Sequence, residues 1–382
     1  MRFLHTSDWH LGRSLHRADL REAQGAFLDA LVDTVRGERI DAVVVAGDIY
    51  DRAVPPLDAV ELCESALVRI REAGARVVLI SGNHDSARRL GFGSRLVDAS
   101  GVHLRTRVRD CATPVLIDDD AGPVAFYGVP YLEPEAVLSE LPPETGRGHS
   151  AVLGAALSAV RDDVAARGPV RSVVLAHAWV GQAIASDSER DITVGGVASV
   201  PASLFDGFTY SALGHLHRSQ ALTDSLRYSG SPLAYSFSEA DHVKGSWLVE
   251  LSGTGLSRVE HVPAPVPRRL SALRGTLPEL LSSALHEAVR DDWLQVTLTD
   301  AARPDEAMTR LTSRFKHVLV LRHEPEGAVA DVRSYTARVA GRTPLQVSAA
   351  FVEHVRRTPP DEDERALLGE VLDAVRVTAE VA

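Results

Sequence analysis

The chain has 382 residues, 45% of them apolar and 24% charged, with a net charge of −11. That balance excludes a disordered or low-complexity protein, and the length exceeds the usual span of one domain, so two or three packed units are expected. No apolar run approaches the ~18 residues of a membrane span, and Met1 leads straight into a strand-like Arg2 to His5, which reads as a cytoplasmic protein without a secretory signal.

The acidity is unevenly placed. Residues 1–110 hold 16 Arg against 16 Asp plus Glu, whereas residues 359–382 hold seven acids and two Arg. A broad electrostatic clamp on nucleic acid is therefore excluded, and only local Arg contacts to phosphate remain open. Cys63 and Cys111 stand far apart and form no CxxC pair, which leaves no disulfide framework and no zinc finger; Cys63, inside a helical pattern, reads as a buried thiol.

In chain order, Phe3 to Thr6, Ala42 to Ala46 and Val77 to Ser81 are short apolar runs that predict strands. Between them lie two helical patterns. Arg21 to Arg36 carries Phe27, Leu28, Leu31, Val32 and Val35 on one face, and Leu57 to Glu72 carries Val60, Leu67 and Val68, opened by Pro55 and Pro56 and closed by Gly74. This is a βαβαβ unit. Later strands are expected at Val124 to Tyr127, Val173 to Ala176, Tyr210 to Leu213 and Trp247 to Leu251, and a two-sheet sandwich flanked by helices accommodates them all. The proline-rich Val262 to Pro267 resists both helix and central strand and marks a boundary. Beyond it a small α+β unit is expected, with a helix at Leu277 to Ala288, a strand at Trp293 to Leu298, a helix at Met308 to Phe315 and a strand at Val318 to Arg322. Two helices follow, Gln346 to Arg356 and Glu362 to Ala379, the second with Leu367, Leu368, Val371, Leu372 and Val375 on one face.

Five of the apolar runs break into polar residues of one chemical kind: Asp8 and His10; Gly47 and Asp48; Gly82, Asn83, His84 and Asp85; Ala176 and His177; Gly214, His215 and His217. Ligands of open sheets collect beyond the carboxyl ends of strands, which is where these fall. Taken singly, each has a bland reading, an Asp capping a turn or a His satisfied in a core. Taken together, Asp, Asn and His side chains converging from five strand ends predict two divalent metals and chemistry on a phosphate. Mixed carboxylate, amide and imidazole ligation suits Mn2+ or Fe2+ better than Mg2+ or Zn2+. His84, one residue past Asn83, has a different expected role, protonating or stabilising a leaving oxygen. No GxSxG elbow or phosphate-binding P-loop is present.

These five blocks resemble those of the calcineurin-like metallophosphoesterase superfamily. Within it the segments His5 to Gly12, Gly47 to Pro56, Gly82 to Ser86, Arg190 to Ile192 with Gly195, Ala212 to Arg218 and Arg227 to Phe237 resemble the SbcD family of double-strand-break repair nuclease subunits. The resemblance covers nearly the whole chain and is closest up to about residue 250. It implies that Asp8, His10, Asp48 and His217 hold one metal, and that Asp48, Asn83, His177 and His215 hold the other. Asp48 bridges the two, and His84 is the catalytic histidine. Ala176 stands where the family often has Gly.

The resemblance further implies an Mn2+-dependent nuclease that digests double-stranded ends 3′ to 5′ and cuts single strands and hairpins, in repair, recombination and replication of DNA. It implies a homodimer within a heterotetramer, associated with the nucleoid and partnered by a coiled-coil ATPase of the SbcC kind. The expected division is a metallophosphoesterase nuclease domain over 1–265, a DNA-facing cap over 266–342 and a helical partner-binding tail over 343–382. A phosphatase or phosphodiesterase for a small phosphate ester fits the five blocks equally well; a third reading, a DNA-end scaffold with a structural ion site, is opposed by the complete set of Asp, Asn and His candidates.

Overall fold

The computed structural model describes residues 1–189, 199–326, 341–356 and 358–381. The motif residues Arg190, Asp191, Ile192 and Gly195 lie outside them. The chain divides into two compact units, Met1–Leu270 and Ser271–Ala382.

Besides the short hairpin Ser14–Leu15 with Ala18–Asp19, the strands of the first unit's two large sheets are β1 (Arg2–Thr6), β2 (Ala42–Ala46), β3 (Arg76–Ile80), β4 (Val102–Arg105), β5 (Val115–Asp119), β6 (Gly122–Val129), β7 (Arg171–His177), β8 (Tyr210–Gly214), β9 (Gln220–Ala221), β10 (Leu226–Tyr228), β11 (Gly245–Ser252) and β12 (Gly255–Pro263). They form two six-stranded sheets, ordered β12-β11-β1-β2-β3-β4 and β9-β10-β8-β7-β6-β5. β1, β2, β3 and β4 run parallel, as do β6, β7, β8 and β10.

Alternation along each strand decides what lies on either side. In β2, Ala42 and Val44 face the other sheet with Phe3, Val78, Phe126, Val173 and Tyr210, while Val43 and Val45 face helices α1 (Arg21–Gly37) and α2 (Leu57–Glu72). The second sheet does the same with Ala125, Tyr127 and Val174 beneath α3 (His149–Arg167). The result is a four-layered helix–sheet–sheet–helix sandwich. Strands covered on both faces must read as unbroken apolar runs, which is why β2 is Ala-Val-Val-Val-Ala.

Several expectations need correction. The buried face of α2 is Ala59, Cys63, Ala66 and Ile70, whereas Val60 and Val68 are exposed. Small residues let the helix lie close on the sheet, and that face wins over the larger valines. α3 escaped the periodicity because alanines and valines fall around most of its circumference, although Val152, Leu153, Ala156, Leu157 and Val160 form its buried side. The proline-rich stretch begins inside β12, which reaches Pro263; β12 is an edge strand, where a missing N–H is tolerated.

The second unit contains β13 (Leu270–Gly275), α4 (Leu277–Ser282), β14 (Trp293–Leu298), α5 (Ala307–Arg314), β15 (Val318–His323), α6 (Pro344–Arg356) and α7 (Glu362–Val381), with the sheet ordered β13-β14-β15. Leu273, Leu277, Leu280, Leu294, Val296, Leu311 and Phe315 make its core. The expected helix from Leu277 to Ala288 breaks at Ser283, whose backbone is extended and whose hydroxyl accepts from Leu285 N–H to start a separate 3-10 turn, Ala284–Val289. α6 and α7 are joined by Arg356, which donates to Glu364 Oε1 at 2.5 Å and Oε2 at 2.7 Å. Phe351, Val355, Leu367 and Val371 are exposed on them. No described helix is long and apolar enough to cross a membrane.

The Arg171–Asp119 ion pair lies within the second sheet and ties it to the first through the Ser252 carbonyl and the Met1 ammonium, which lies 2.8 Å from Asp119 Oδ2. Arg171 donates to Asp119 Oδ2 at 2.7 Å and Oδ1 at 2.6 Å, and to the carbonyls of Gly122 at 2.6 Å and Ser252 at 3.2 Å. The Arg171 guanidinium holds the Asp119 carboxyl well below the usual carboxylate range. Because the folded-state value is depressed, this contribution is complete above the unfolded value of about 3.9 and is lost as pH falls through the folded one. Asp119→Asn should lower the unfolding free energy by about 1 kcal/mol at pH 7. Urea denaturation should show the gap between variant and wild type closing below about pH 4.

Candidate metal centre

Pairing between β1 and β2 continues past the ends of both strands. Asp8 N–H donates to Gly47 C=O at 3.0 Å, His10 N–H to Asp48 C=O at 3.0 Å and Leu11 N–H to Ile49 C=O at 2.9 Å. To aim side chains inward while keeping these bonds, the backbone turns left-handed, with φ of 53° at Asp8, 45° at His10 and 51° at Asp48; His215 stands at 107°. Non-glycine residues take such angles only where surrounding structure enforces them.

Two glycines explain how closely the loops approach. A Cβ at Gly82 would fall 2.1 Å from Asp48 Oδ1, and one at Gly214 would fall 1.9 Å from Ala46 O. Asp85 then locks the loops after β2 and β3 together, its carboxylate accepting from the N–H groups of Ile49 at 3.1 Å, Tyr50 at 3.0 Å and Gly82 at 2.9 Å.

All seven sequence-predicted ligands meet here. Three trios bring ligand atoms within 4.8 Å of one another: Asp8, His10 and His217; Asp8, Asp48 and His177; and His10, Asp48 and His84. His10 Nε2 lies 3.0 Å from His217 Nε2, and His177 Nε2 lies 3.5 Å from Asp48 Oδ2. Asn83 Oδ1 joins the second group, 2.9 Å from His177 Nε2 and 3.1 Å from His215 Nδ1. His177 Nδ1–H donates to Ala46 C=O at 2.8 Å, which turns its Nε2 toward the carboxylates. His84 Nδ1–H donates to Asp51 C=O at 2.7 Å, and its backbone N–H donates to Asp48 Oδ1 at 2.8 Å.

The electrostatics fit a cation. Burial pushes the Asp8 carboxyl up to about 6 and drives His10 well down and His215 to about 3. Burial also opposes charge on Asp48, but the His177, His10 and His84 imidazoles hold it well below the usual range; the same burial opposes charge on His177, which Asp48 and Asp8 raise to about 9. Two enclosed carboxylates thus lean on an imidazolium for neutrality. His10 Nδ1 is buried without a hydrogen-bond partner. A donor set of two carboxylates, an amide oxygen and four imidazoles suits divalent metal better than a proton network.

Sequence reasoning missed the layer behind the ligands. Ser7 Oγ donates to Asp8 Oδ2 and lies 2.7 Å from Ser229 Oγ, and the Tyr235 hydroxyl donates to Trp9 C=O. Ser188, Glu189, Glu239 and Lys244 gather around His217. Tyr235 lay inside a quoted motif, but nothing in its spacing signalled a partner more than 200 residues away. A groove of about 800 Å³ opens beside Asn83, lined among others by Arg88, Arg107, Arg109, Tyr131 and Glu133.

Comparison with known proteins agrees with this geometry. Residues 1–152 match the family described as calcineurin-like phosphoesterase, and residues 266–356 match the one described as type 5 capsule protein repressor C-terminal domain, the SbcD C-terminal domain. Similar solved structures include a dimetal phosphatase from Danio rerio (16% identity, 69% of this chain and 99% of that one, TM-score 0.41). Others are GAP50, the anchor in the inner membrane complex of Plasmodium (11%, 85% and 98%, 0.40), and a protein from Thermus thermophilus (13%, 68% and 98%, 0.39). The first unit is that of a metal-dependent phosphoesterase. A calcineurin-like phosphoesterase domain and an SbcD-type C-terminal domain in one chain together support an SbcD-like nuclease.

Gly82→Ala tests the close approach. Its methyl group should displace Asp48 and weaken Mn2+ binding by at least tenfold in a titration of the purified chain, with far-UV circular dichroism unchanged.

Proposed function

We propose that this chain is the Mn2+-dependent nuclease subunit of a DNA-end processing complex, cleaving phosphodiesters of double-stranded ends 3′ to 5′ and of single strands and hairpins. The observation that carries the reading is the coincidence, in one chain, of the converged Asp, Asn and His set with an SbcD-type C-terminal unit. Asp8, His10 and His217 would hold one ion and Asn83, His177 and His215 the other, with Asp48 available to both. Bound there, the ions would supply Lewis-acid activation of the phosphate and balance its charge. Water loses a proton to solvent as its oxygen bonds to phosphorus, the P–O bond to the leaving oxygen breaks, and that oxygen takes a proton. His84 is the donor: its Nδ1–H is committed to Asp51 C=O, so Nε2 is the nitrogen that exchanges the proton.

The groove beside Asn83 supports a polyanionic substrate. Arg88, Arg107 and Arg109 make no ion pair with any described residue, whereas the neighbouring Glu133 already accepts from the Tyr131 hydroxyl at 2.9 Å. In a chain of net charge −11, three uncommitted arginines beside the metal centre are the local phosphate contacts that composition left open. Residues 266–342 would face the DNA, and residues 343–382 would attach an SbcC-like coiled-coil ATPase. Phe351, Val355, Leu367 and Val371, exposed on the terminal helices, are the apolar surface such a partner needs.

The test is cleavage of end-labelled linear duplex and hairpin with Mn2+ or Mg2+, with and without the ATPase. His84→Ala should keep Mn2+ and DNA binding and lose cleavage by about 10²–10⁴-fold. Wild-type cleavage by that variant would remove His84 from the mechanism, and loss of Mn2+ would make it a ligand instead. Arg107→Glu with Arg109→Glu should weaken DNA binding while sparing hydrolysis of a small aryl phosphodiester. Preference for the small ester in the wild-type chain would favour the small-molecule reading. Deleting residues 343–382 should leave Mn2+-dependent single-strand cleavage and abolish copurification with the ATPase, and retained copurification would place the attachment elsewhere.

A further inference from the structure

Glu239 and Lys244 are both buried, at 0% and 5% exposure, yet neither belongs to the set that faces the metals. Lys244 Nζ donates to Glu239 Oε2 at 2.5 Å, to His217 C=O at 2.8 Å and to Ser231 Oγ at 3.0 Å, which uses all three of its protons. Glu239 also accepts from Ser188 Oγ, from Ser186 Oγ at 3.3 Å and from Tyr235 N–H at 3.3 Å. A buried ion pair is a poor source of stability compared with apolar packing, so stability alone does not account for this one. Its bonds lead to one residue.

His217 is held at three points by these neighbours. Its N–H donates to Glu189 Oε1 at 2.8 Å, its C=O accepts from Lys244, and its Nδ1 lies 2.5 Å from Ser188 Oγ and 3.3 Å from Glu239 Oε1. Because the Ser188 hydroxyl proton goes to Glu239, Ser188 Oγ can only accept from the ring. The chain of donors therefore runs His217 Nδ1–H to Ser188 Oγ–H to the Glu239 carboxylate, which is anchored by Lys244. That leaves His217 Nε2 bare, facing His10 Nε2 at 3.0 Å and Asp8. Arg13 Nη2 fixes the Ser188 carbonyl at 3.0 Å, so the loop bearing Ser188 is itself held in register.

We propose that Ser188, Glu239 and Lys244 are positioning residues that hold His217 in the Nδ1–H tautomer and thereby set the affinity of the cation site formed by Asp8, His10 and His217. This rests on the reading of that trio as a metal site. Outer partners that orient a ligand histidine typically change metal affinity 10–100-fold when removed.

The experiment uses the full chain, with Ser188→Ala and the double variant Glu239→Gln with Lys244→Met. The double variant avoids leaving Lys244 charged and unpaired in the interior. In metal-free protein, 15N NMR of the imidazoles should show His217 as the Nδ1–H tautomer in wild type and as a mixture in both variants. Mn2+ titration followed by electron paramagnetic resonance should show one of two ions bound 10–100-fold more weakly in both, the other within about twofold. Folded variants with the wild-type tautomer and both wild-type affinities would overturn the proposal. A wild-type chain that binds no Mn2+ would overturn the metal-site reading itself and the affinity claim with it, while the tautomer measurement would still decide the positioning claim.

Discussion

Two carboxylates, Asp8 and Asp48, are enclosed with almost no access to solvent at the joint edge of two sheets, and much of the first unit serves to make that arrangement tolerable. Like charges in a space of low polarity repel strongly. The fold answers with four imidazoles drawn from the ends of β1, β7 and β8, with His215 N–H shared between both oxygens of Asp8 at 3.1 Å, and with His84 N–H on Asp48. The same concentration of negative charge and lone pairs is what a divalent cation requires, so the electrostatic difficulty and the chemistry are one feature.

The sandwich supplies the geometry at low risk of error. Parallel strands ending in register deliver their first polar residues to a common edge, and the continued pairing of Asp8, His10 and Leu11 with Gly47 to Ile49 extends that precision into the loops. Small residues at Gly82 and Gly214 let the sheets and loops meet, and the Asp85 carboxylate ties two of the loops by three N–H groups. Deeper in the first sheet interface, His5 bonds to the Tyr210 hydroxyl and Leu213 C=O, both at 3.1 Å, and is held neutral by burial at about 3. It joins the sheets immediately below the site.

The second unit has its own core and its own family match, and its chemistry is of another kind. Its terminal helices are acidic and expose apolar side chains, which suits recognition of a protein surface more than of nucleic acid. Arg88, Arg107 and Arg109, which pair with no acid among the described residues, lie beside the candidate metal centre in the first unit instead.

Much of the catalytic unit was legible beforehand because a strand covered on both faces has one signature, an apolar run, and a site at its carboxyl end has another, an abrupt Asp, Asn or His. β1, β2, β3, β7 and β8, and all seven candidate ligands, follow from that juxtaposition. α3 did not follow, since apolar residues all around a helix erase its period, and the α2 face was misjudged because side-chain size outweighed close packing. Ser188, Glu239 and Lys244 were silent for a deeper reason. A sequence determines which residues can carry charge, but burial and partners distant in sequence decide what that charge does, and only the tertiary structure brings Ser188 from one loop and Glu239 and Lys244 from another onto one histidine.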